Sequence, residues 1–511
     1  MNANCYKIIF SKRLNALIVV GENATASKKS SGSRRSKGAM VRSFLGTGAF
    51  LGASLSFVAP VVLANPAANT LPIGGVVAQG RVSMSQMGNT LTIKQASDKA
   101  VVNWQSFDIG AEAKVKIEQP SATSSQLERI SGNNATQIFG QLESNGQVVL
   151  VNPNGVVFGQ DGSVSASSFT ASTLDVADAD FVAGKNNYAG KGQGGTIANH
   201  GNIKVAAGGY VALLGAKVSN DGKIVAPEGS VALGAAEAIT VPVSNSGKIQ
   251  LELSPEAINA AVTNSGNGVI VAEGGQVYLQ AAALNDAAGK TSASVTQSGV
   301  VDVSGAQGGS VTILADEGQI KVDGNITANS TDATKKGGDI IIGRDTHTEK
   351  LAKSTDVSSA TLESKEGFVE TSGEALKSDN VNVKAGEWLI DPSDITISTA
   401  ADSNVTGTSP ADIVPSGATG TSSVVQVNTI QTAINAGTNV TIKTTNANNA
   451  TGAGNITIAN PLSFTNNSAQ DATLSLIADN GITQNASITA TGSKLVNVNM
   501  TANGNYWRYK Q

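Results

Sequence analysis

The sequence predicts an all-β protein wound as a parallel β-helix, and three observations lead to this fold class. Short runs of β-branched residues are separated by turn formers, as in residues 148–151 and 156–158 around the turn 152–155. Glycine is abundant (56 residues), whereas aromatic residues (4%) and charged residues (14%) are scarce. A loose unit of strand and turn also recurs at short intervals, which is typical of a solenoid.

The turn 152–155 reads Asn-Pro-Asn-Gly, and its residues have separate physical roles. Pro153 fixes φ at about −65°, Asn154 tolerates a left-handed backbone, and Gly155 permits positive φ. Both flanking runs are too apolar to face water on two sides. The pattern therefore predicts a strand, a tight turn and a second strand.

The recurring unit has two halves. The first reads Asn-x-Gly-x-Ile and starts at Asn199, Asn220 and Asn245, in steps of 21 and 25 residues. The second places glycine before a short apolar run and begins at Gly208, Glu228, Gly274, Gly308 and Gly337. One turn of chain cannot bury its Val, Ile and Leu, so successive coils must stack, with strands about 4.8 Å apart. We expect the inward residues to form ladders and the turn asparagines to hydrogen-bond along the axis.

Other repetitive folds fit the pattern less well. Leucine-rich repeats need a helix or an L-x-x-L-x-L frame in each repeat, and the sequence has neither. A β-sandwich would have longer strands and more aromatic residues. Because the open end of a solenoid needs a cap, the sequence predicts one at residues 70–110, where Trp104 and Phe107 supply bulk.

The first 64 residues have the features of an unusually long signal peptide. Residues 1–42 hold nine Lys and Arg but one acidic residue, and the uncharged apolar run 43–59 follows. A membrane anchor is the alternative, but the run is short for a span. Residues 62–64 (Val-Leu-Ala) predict cleavage between Ala64 and Asn65. Cys5 would leave with this leader, as suits a chain that crosses an oxidising compartment unfolded.

Three further segments, 91–96 (LTIKQA), 102–110 (VNWQSFDIG) and 169–175 (FTASTLD), accompany the turn 152–155. Together they resemble the secretion domain of two-partner secretion exoproteins, the filamentous-haemagglutinin and high-molecular-weight adhesin family. The likeness covers about residues 70–250 and continues more loosely to about 400. Where the haemagglutinin carries Asn-Pro-Asn-Leu, this chain has Gln119-Pro120-Ser121-Ala122, which places it nearer the high-molecular-weight adhesin branch.

The resemblance implies a right-handed β-helix with an N-terminal β cap, in line with the general bias of parallel crossovers. It divides the chain into an extended signal peptide (1–64), a secretion or haemagglutination activity domain (65–250) and a continuing β-helix (251–398). It implies Sec export, a cognate outer-membrane transporter with periplasmic POTRA domains, and a secreted or cell-surface protein of a Gram-negative bacterium. The residues most closely tied to that recognition, or to the first folded coil, would be Asn152, Pro153, Asn154 and Gly155.

A later segment, made of 367–373 and 387–392, resembles one that high-molecular-weight adhesins share. Trp388 and the pair Asp391-Pro392 mark a boundary there. A Thr-, Ser- and Gly-rich linker is expected at 399–425, and 426–511 would begin further β repeats. Because residues 505–511 break the pattern with three aromatic residues, we expect a truncated chain.

The sequence shows no convincing constellation of catalytic or metal-binding residues. Pectin lyases and polygalacturonases use the same solenoid, but they need clustered aspartates or an acid/base pair in a groove. Asp175, Asp178 and Asp180 form the nearest cluster and lack the spacing of a calcium loop. His200 and His347 are isolated. We therefore expect no enzyme, no metal and no cofactor. The body carries 26 basic and 38 acidic residues, which disfavours nucleic acid, and a monomer is expected.

Asn-x-Ser/Thr sequons are dense towards the end of the chain, at Asn404, Asn439, Asn449, Asn455, Asn466, Asn485 and Asn499. A chain rich in Asn and Thr yields many by chance, whereas the related adhesins are modified at such sites by a cytosolic transferase. Glycosylation of these asparagines is therefore a hypothesis that rests on the resemblance.

The leading hypothesis is a secreted surface adhesin that contacts a host-cell receptor or glycan. Its N-terminal domain would act as secretion signal and folding nucleus. Two alternatives use the same scaffold: a haem- or haemopexin-binding exoprotein, and the stalk of a contact-dependent toxin whose C-terminal domain is missing.

Overall fold

The computed structural model describes residues 6–11, 16–21, 65–190, 194–244, 249–254, 259–284, 292–345, 350–402, 405–406, 414–415, 422–445, 454–503 and 506–509. Outside these ranges lie Ala64, Asn245, His347, Asn404, Asn449 and most of the predicted linker. The chain forms two compact units, 1–62 and 63–511. In the first unit, β1 (Tyr6–Ser11) pairs antiparallel with β2 (Ala16–Gly21).

The second unit is dominated by one sheet of 25 strands, called the long sheet. Strands are numbered along the chain. The members of the long sheet are β3 (Val76–Gln79), β4 (Val82–Met87), β5 (Thr90–Gln95), β6 (Lys99–Trp104), β7 (Lys114–Glu118), β8 (Ser125–Ile130), β10 (Gln141–Ser144), β11 (Gln147–Val151), β13 (Ser163–Ala166), β14 (Ser168–Ser172), β18 (Asn202–Val205), β19 (Tyr210–Gly215), β21 (Lys223–Val225), β22 (Ser230–Ala235), β26 (Val269–Val271), β27 (Gln276–Ala282), β29 (Val300–Asp302), β30 (Ser310–Asp316), β32 (Asn325–Thr327), β33 (Asp339–Ile342), β35 (Thr361–Ser372), β37 (Asn382–Asp391), β42 (Asn439–Lys443), β45 (Ala472–Ala478) and β48 (Val496–Ala502).

A second sheet of nine parallel strands runs beside the long sheet. It consists of β9 (Thr136–Ile138), β12 (Val156–Phe158), β17 (Thr196–Asn199), β20 (Lys217–Asn220), β25 (Asn259–Asn264), β28 (Ser292–Gln297), β31 (Gln319–Val322), β34 (Ser354–Asp356) and β36 (Ala375–Lys377). A full coil gives two consecutive strands to the long sheet and one to the second sheet, as β18, β19 and β20 do. The fold is the predicted right-handed parallel β-helix.

The cap at the N-terminal end of the long sheet is antiparallel, unlike the rest of that sheet. Strand β3 pairs antiparallel with β6, and β4 pairs antiparallel with β5. Trp104 and Phe107 are buried beneath the cap with their ring centroids 5.3 Å apart in an edge-to-face arrangement. The predicted β cap is therefore confirmed, and its rare aromatic residues close the end of the core.

Inward apolar residues stack from coil to coil, as the repeat predicted. Ile203 lies in register with Ile224, and Ile224 with Ile270. The buried turn residues stack as well: the Nδ2 atom of Asn199 donates to Asn220 (2.7 Å), that of Asn220 to Asn264 (2.8 Å), and that of Asn264 to Gln297 (2.7 Å). The ladders satisfy amides that would otherwise be costly to bury.

The structure corrects one repeat assignment. The repeat predicts a coil that starts at Asn245, a residue outside the described ranges, but the residue that stacks on Asn220 is Asn264. Ile249 instead belongs to an insertion and is buried against the outer face of the long sheet. The motif recurs there by composition alone, because Asn, Gly and Ile also suit an ordinary turn and strand.

That insertion belongs to an outer layer, called the covering sheet, whose four antiparallel strands are β15 (Asp175–Val176), β16 (Asn187–Ala189), β23 (Ala238–Thr240) and β24 (Glu252–Ser254). The short helix α1 (Asp178–Val182) lies within it. Its apolar residues and outward residues of the long sheet, such as Leu127 and Leu214, form a second hydrophobic cluster. Part of the long sheet is therefore buried on both faces.

Parallel pairing continues beyond residue 398. Strand β37 pairs with β42, on the other side of the predicted linker. The remaining strands are β38 (Asp394–Ser398), β39 (Val405–Thr406), β40 (Val414–Pro415), β41 (Ser422–Gln426), β43 (Ile456–Ile458), β44 (Leu462–Thr465), β46 (Gly481–Gln484), β47 (Ile488–Thr491) and β49 (Tyr506–Tyr509). The helix α2 (Val427–Asn435) buries Val427, Ile430 and Ile434 against the same core. The domain boundaries remain predictions.

Candidate functional site

The turn 152–155 joins β11 of the long sheet to β12 of the second sheet. Asn152 is completely buried and bonds in two directions. Its Nδ2 atom donates to the carbonyl of Asn134 and to Oγ1 of Thr136, both at 3.0 Å, on the preceding coil. Its Oδ1 atom accepts the backbone N–H of Asn154 at 2.9 Å, which is the side-chain turn that an asparagine at this position favours.

The turn requires glycine at position 155 because of its backbone angle φ and because there is no space for a Cβ atom. Its φ is 115°, a region that residues with a Cβ rarely adopt. An added Cβ would lie 2.8 Å from the carbonyl oxygen of Thr196 on the following coil. The carbonyl of Gly155 also accepts the N–H of Thr136 on the preceding coil at 3.0 Å. The turn is therefore held between both neighbouring coils.

Asn154 is the exposed member of the turn, and Pro153 is half-buried. The Nδ2 atom of Asn154 still reaches back 2.7 Å to the carbonyl of Gly132. A Cβ on Gly195 would overlap the carbonyl of Pro153, so the next coil packs closely on the turn. The structure thus brings the four predicted residues together as a corner that links three coils, called the Asn-Pro-Asn-Gly corner below.

A second polar corner surrounds Gln119, where the sequence departs from Asn-Pro-Asn-Leu. Its Nε2 atom donates to Oε1 of Gln95 (3.1 Å) and to the carbonyl of Ser124 (3.0 Å). Its Oε1 atom accepts the hydroxyl of Ser144 at 2.6 Å, and its carbonyl accepts Nδ2 of Asn145 at 2.8 Å. Sequence reasoning missed this network, although the recurrence of Gln before a turn in successive coils was a usable signal.

The acidic cluster at 175–180 serves an ion pair. The guanidinium of Arg129 contacts Oδ1 of Asp175 at 2.9 Å and Oδ1 of Asp178 at 2.6 Å, and it donates to the carbonyl of Val176 at 2.6 Å. Asp180 lies 3.9 Å from Lys185. Arg129 therefore fastens the covering sheet to the long sheet.

Glu128 is buried inside the first coils. Leu127 faces the outer cluster, so the adjacent Glu128 points inward, where Nε1 of Trp104 donates to its Oε2 atom at 2.6 Å. Burial raises the pKa of Glu128 to about 8, although the hydrogen bond from Trp104 and the nearby amide of Gln126 favour the carboxylate. The neutral form of the carboxyl group therefore predominates at neutral pH.

Comparison with known proteins identifies the family. The family description of the TPS (two-partner secretion) secretion domain matches residues 68–328, which include both polar corners and the covering sheet. The chain belongs to the two-partner secretion exoproteins. The extended signal peptide of the type V secretion system matches residues 1–51, so this exoprotein enters the Sec pathway and reaches the surface of a Gram-negative bacterium. Cleavage between Ala64 and Asn65 remains a prediction.

Solved and curated relatives agree with this assignment. The crystal structure of the HMW1 secretion domain from Haemophilus influenzae is 28% identical, with a TM-score of 0.50, and its match covers 63% of this exoprotein and 100% of that chain. A Heme/hemopexin-binding protein of Haemophilus influenzae is 34% identical over 227 residues, 43% of this chain and 24% of the relative. Another of that name is 46% identical over 86 residues, 17% of this chain and 9% of the relative. The exoprotein thus spans at most about a quarter of these curated relatives.

Within the described ranges of the exoprotein, no three His, Cys, Asp or Glu residues converge as metal ligands would. His200 lies on the surface with its Nδ1 atom 3.5 Å from Oδ2 of Asp221. Helices of the length and apolar character that a membrane crossing demands are not found in the described part.

The predicted sequons differ in accessibility. Asn485 and Asn499 are exposed, whereas Asn466 is completely buried. The Nδ2 atom of Asn466 donates to the carbonyls of Gln470 (3.1 Å) and Leu495 (3.2 Å). Asn439 is half-buried and accepts the N–H of Thr473 at 2.9 Å, and Asn455 accepts Nδ2 of Asn480 at 3.0 Å.

Proposed function

We propose that the exoprotein is a surface adhesin whose export depends on closure of the Asn-Pro-Asn-Gly corner. The observation that carries the export role is the buried Asn152, whose side chain bonds both its own turn and the preceding coil. Membership of the two-partner secretion family implies an outer-membrane transporter as partner. Asn154 and Pro153, on the accessible side of the corner, would be the residues within reach of its periplasmic POTRA domains.

Folding supplies a driving force for this export. ATP is not available outside the inner membrane, but each coil buries Val, Ile and Leu side chains once the next coil covers it. Full burial of one such side chain contributes about 1.5–3 kcal/mol. A corner that locks one coil to its two neighbours would hinder return of the emerged chain into the transporter.

Adhesion is proposed because the later coils expose a row of polar side chains to solvent. Their outward positions are mostly Thr, Ser and Asn, as in β45 and β48, which suits contact with a glycan or receptor along an extended surface. The proposal assigns no enzymatic activity and no cofactor. Loss of binding to epithelial cells or erythrocytes after deletion of the gene would support it, and unchanged binding by the deletion strain would overturn it.

Haem or haemopexin binding is the second candidate, because both curated relatives carry that name. The candidate haem site is a cleft beside β24 that is lined by Leu253, Tyr278 and Leu314. Burial raises the pKa of Tyr278, which disfavours the phenolate that would bind haem iron. Haem titration of the purified exoprotein, followed by its absorption spectrum, separates the two functions.

Substitutions in the corner should separate folding from recognition. We expect Gly155→Val to destabilise the domain by about 2–4 kcal/mol, because it combines overpacking with a strained φ, and to abolish most secretion. Asn154→Ala removes hydrogen bonds at an exposed site and should cost about 1 kcal/mol. Secreted and cell-associated protein are measured by immunoblot, and the stability of purified chains by urea unfolding.

Asn497→Ala is the matched control, since it removes an exposed asparagine far along the chain that belongs to no sequon. If Asn154→Ala lowers secretion while stability changes little, the exposed side of the corner is recognised directly. If secretion falls only in proportion to stability, the corner acts through folding. Normal secretion of both corner variants would contradict the proposal.

Glycosylation is proposed for the exposed sequons, on the strength of the family resemblance. We expect glycan on Asn485 and Asn499 and none on Asn466, because the buried site cannot hold a sugar without breaking its two backbone contacts. Peptide mass spectrometry of natively folded secreted protein measures the occupancy. Glycan on Asn466, or none throughout 454–503, would contradict this assignment.

A further inference from the structure

A buried acidic group lies at the end of β37, away from both corners. Asp391 is 2% exposed, and the next residue is Pro392, which is also buried. The charged groups that face this position are Glu370, Arg344 and Lys443. Arg344 is engaged with Glu370, with its Nε atom 2.6 Å from Oε1, so its charge is largely neutralised there.

The two oxygens of the Asp391 carboxyl group have different surroundings. Oδ2 accepts the hydroxyl of Thr445 at 2.8 Å and lies 3.8 Å from Nζ of Lys443. Oδ1 is buried and has no hydrogen-bond partner among the described residues. The backbone carbonyl of Asp391 accepts the N–H of Gly373 at 3.3 Å. A free oxygen is thus held beside a carbonyl that a backbone donor polarises.

We propose that Asp391 cleaves its own peptide bond to Pro392. Oδ1 attacks the backbone carbonyl carbon of Asp391 and forms a five-membered cyclic anhydride. The C–N bond to Pro392 breaks, and the proton of the carboxyl group moves to the proline nitrogen, which leaves as a secondary amine. Water then opens the anhydride, so Asp391 becomes a free C-terminus and Pro392 a free N-terminus.

Several features of the site favour this reaction. The nitrogen of an Asp–Pro bond is more basic than that of other peptide bonds and accepts the proton more readily. The N–H of Gly373 can stabilise the oxyanion that forms on the attacked carbonyl. Burial raises the pKa of Asp391 to about 6, with Glu370 adding to the shift, so mildly acidic solution supplies the neutral carboxyl group that carries the proton.

The fold would keep the two products together. Strand β37, which ends at Asp391, pairs along its length with β35 on one side and with β42 on the other. In the sequence, β35 precedes the cleaved bond and β42 follows it, so β42 belongs to the other product. The products should therefore separate under denaturing conditions but remain associated in the native state.

The test uses the secreted exoprotein, first unfolded in guanidinium with protease inhibitors and then refolded, so that proteases are inactivated. Samples are kept at pH 5.5 and at pH 8 and examined by denaturing mass spectrometry and size exclusion. We expect a break between Asp391 and Pro392 that accumulates at least about tenfold faster at pH 5.5, in line with the titration of the carboxyl group. Hydroxylamine should trap the anhydride as a hydroxamate on the side chain of Asp391.

Asp391→Asn and Pro392→Ala should both stop the cleavage, with folding verified by the fluorescence of the buried Trp388. Asp379→Asn is the matched control, because Asp379 is also buried but is followed by Asn380. An intact Asp391–Pro392 bond in the folded chain at pH 5.5 would overturn the proposal. So would an equal rate in the unfolded chain, because the fold would then contribute nothing.

Discussion

Replacement of Gly229 by alanine is expected to cause a large loss of stability in this exoprotein. Gly209, Gly229, Gly275, Gly309 and Gly338 are stacked on successive coils, and a Cβ on each of the last four would overlap the carbonyl of the glycine before it. Backbone atoms cannot move aside as a flexible side chain could. We expect Gly229→Ala to lower the free energy of unfolding by about 3 kcal/mol or more.

Urea unfolding of the purified secretion domain, followed by circular dichroism, measures this loss. Gly266→Ala is the matched control, because a Cβ there meets no other atom within 4 Å and its backbone is not left-handed. The control should change stability by less than about 0.5 kcal/mol. Equal stability of the two variants would show that the glycine column has no steric role.

The stability of the first coils is expected to fall as the pH rises through neutrality. Glu128 has a pKa of about 8 in the folded chain against an ordinary value of 4.5, so the folded state binds the extra proton. Below about pH 4.5 the group is neutral in both states and this stability is fully present. Between about pH 4.5 and 8 the unfolding free energy should drop by about 1.4 kcal/mol per pH unit, and above that window it levels off.

The variant Glu128→Gln separates the contribution of Glu128 to the pH dependence from that of other carboxyl groups that titrate in the same pH range. The amide keeps an acceptor for the indole of Trp104 but carries no proton to lose. Chemical denaturation from pH 5 to 8.5 should therefore give a shallower slope for the variant than for the native exoprotein. Identical slopes would mean that Glu128 is ionised in the folded state.

Much of this fold was predictable because its strongest signals are local. Each Val or Ile run marks a strand, and Pro153 and Gly155 mark a turn whatever surrounds them. The glycines of the Gly-Gly pairs were recognised as part of the repeat, but their steric role depends on carbonyl groups one coil away. Such contacts join residues far apart in sequence, so a local pattern does not reveal them.

The features that the sequence does not reveal depend on packing between layers. Asn245 and Asn264 stand in similar sequence patterns, and only the pairing between coils shows that Asn264 follows Asn220 in the stack. Helix α2 has apolar residues at helical spacing, but its segment is short and lies among the residues predicted as further β repeats. The residues of the candidate site were found from the turn itself, whereas their partners Asn134, Thr136 and Thr196 were not.

The position of the Asn-Pro-Asn-Gly corner also fixes an order of events. Its contacts reach back to Asn134 and forward to Thr196, so the turn cannot acquire its final set of neighbours while residues near Thr196 are still inside the transporter. If export is arrested before Thr196 has emerged, Asn154 lacks the following coil that would pack against it. The corner is therefore complete only after the chain has left the transporter at least as far as Thr196.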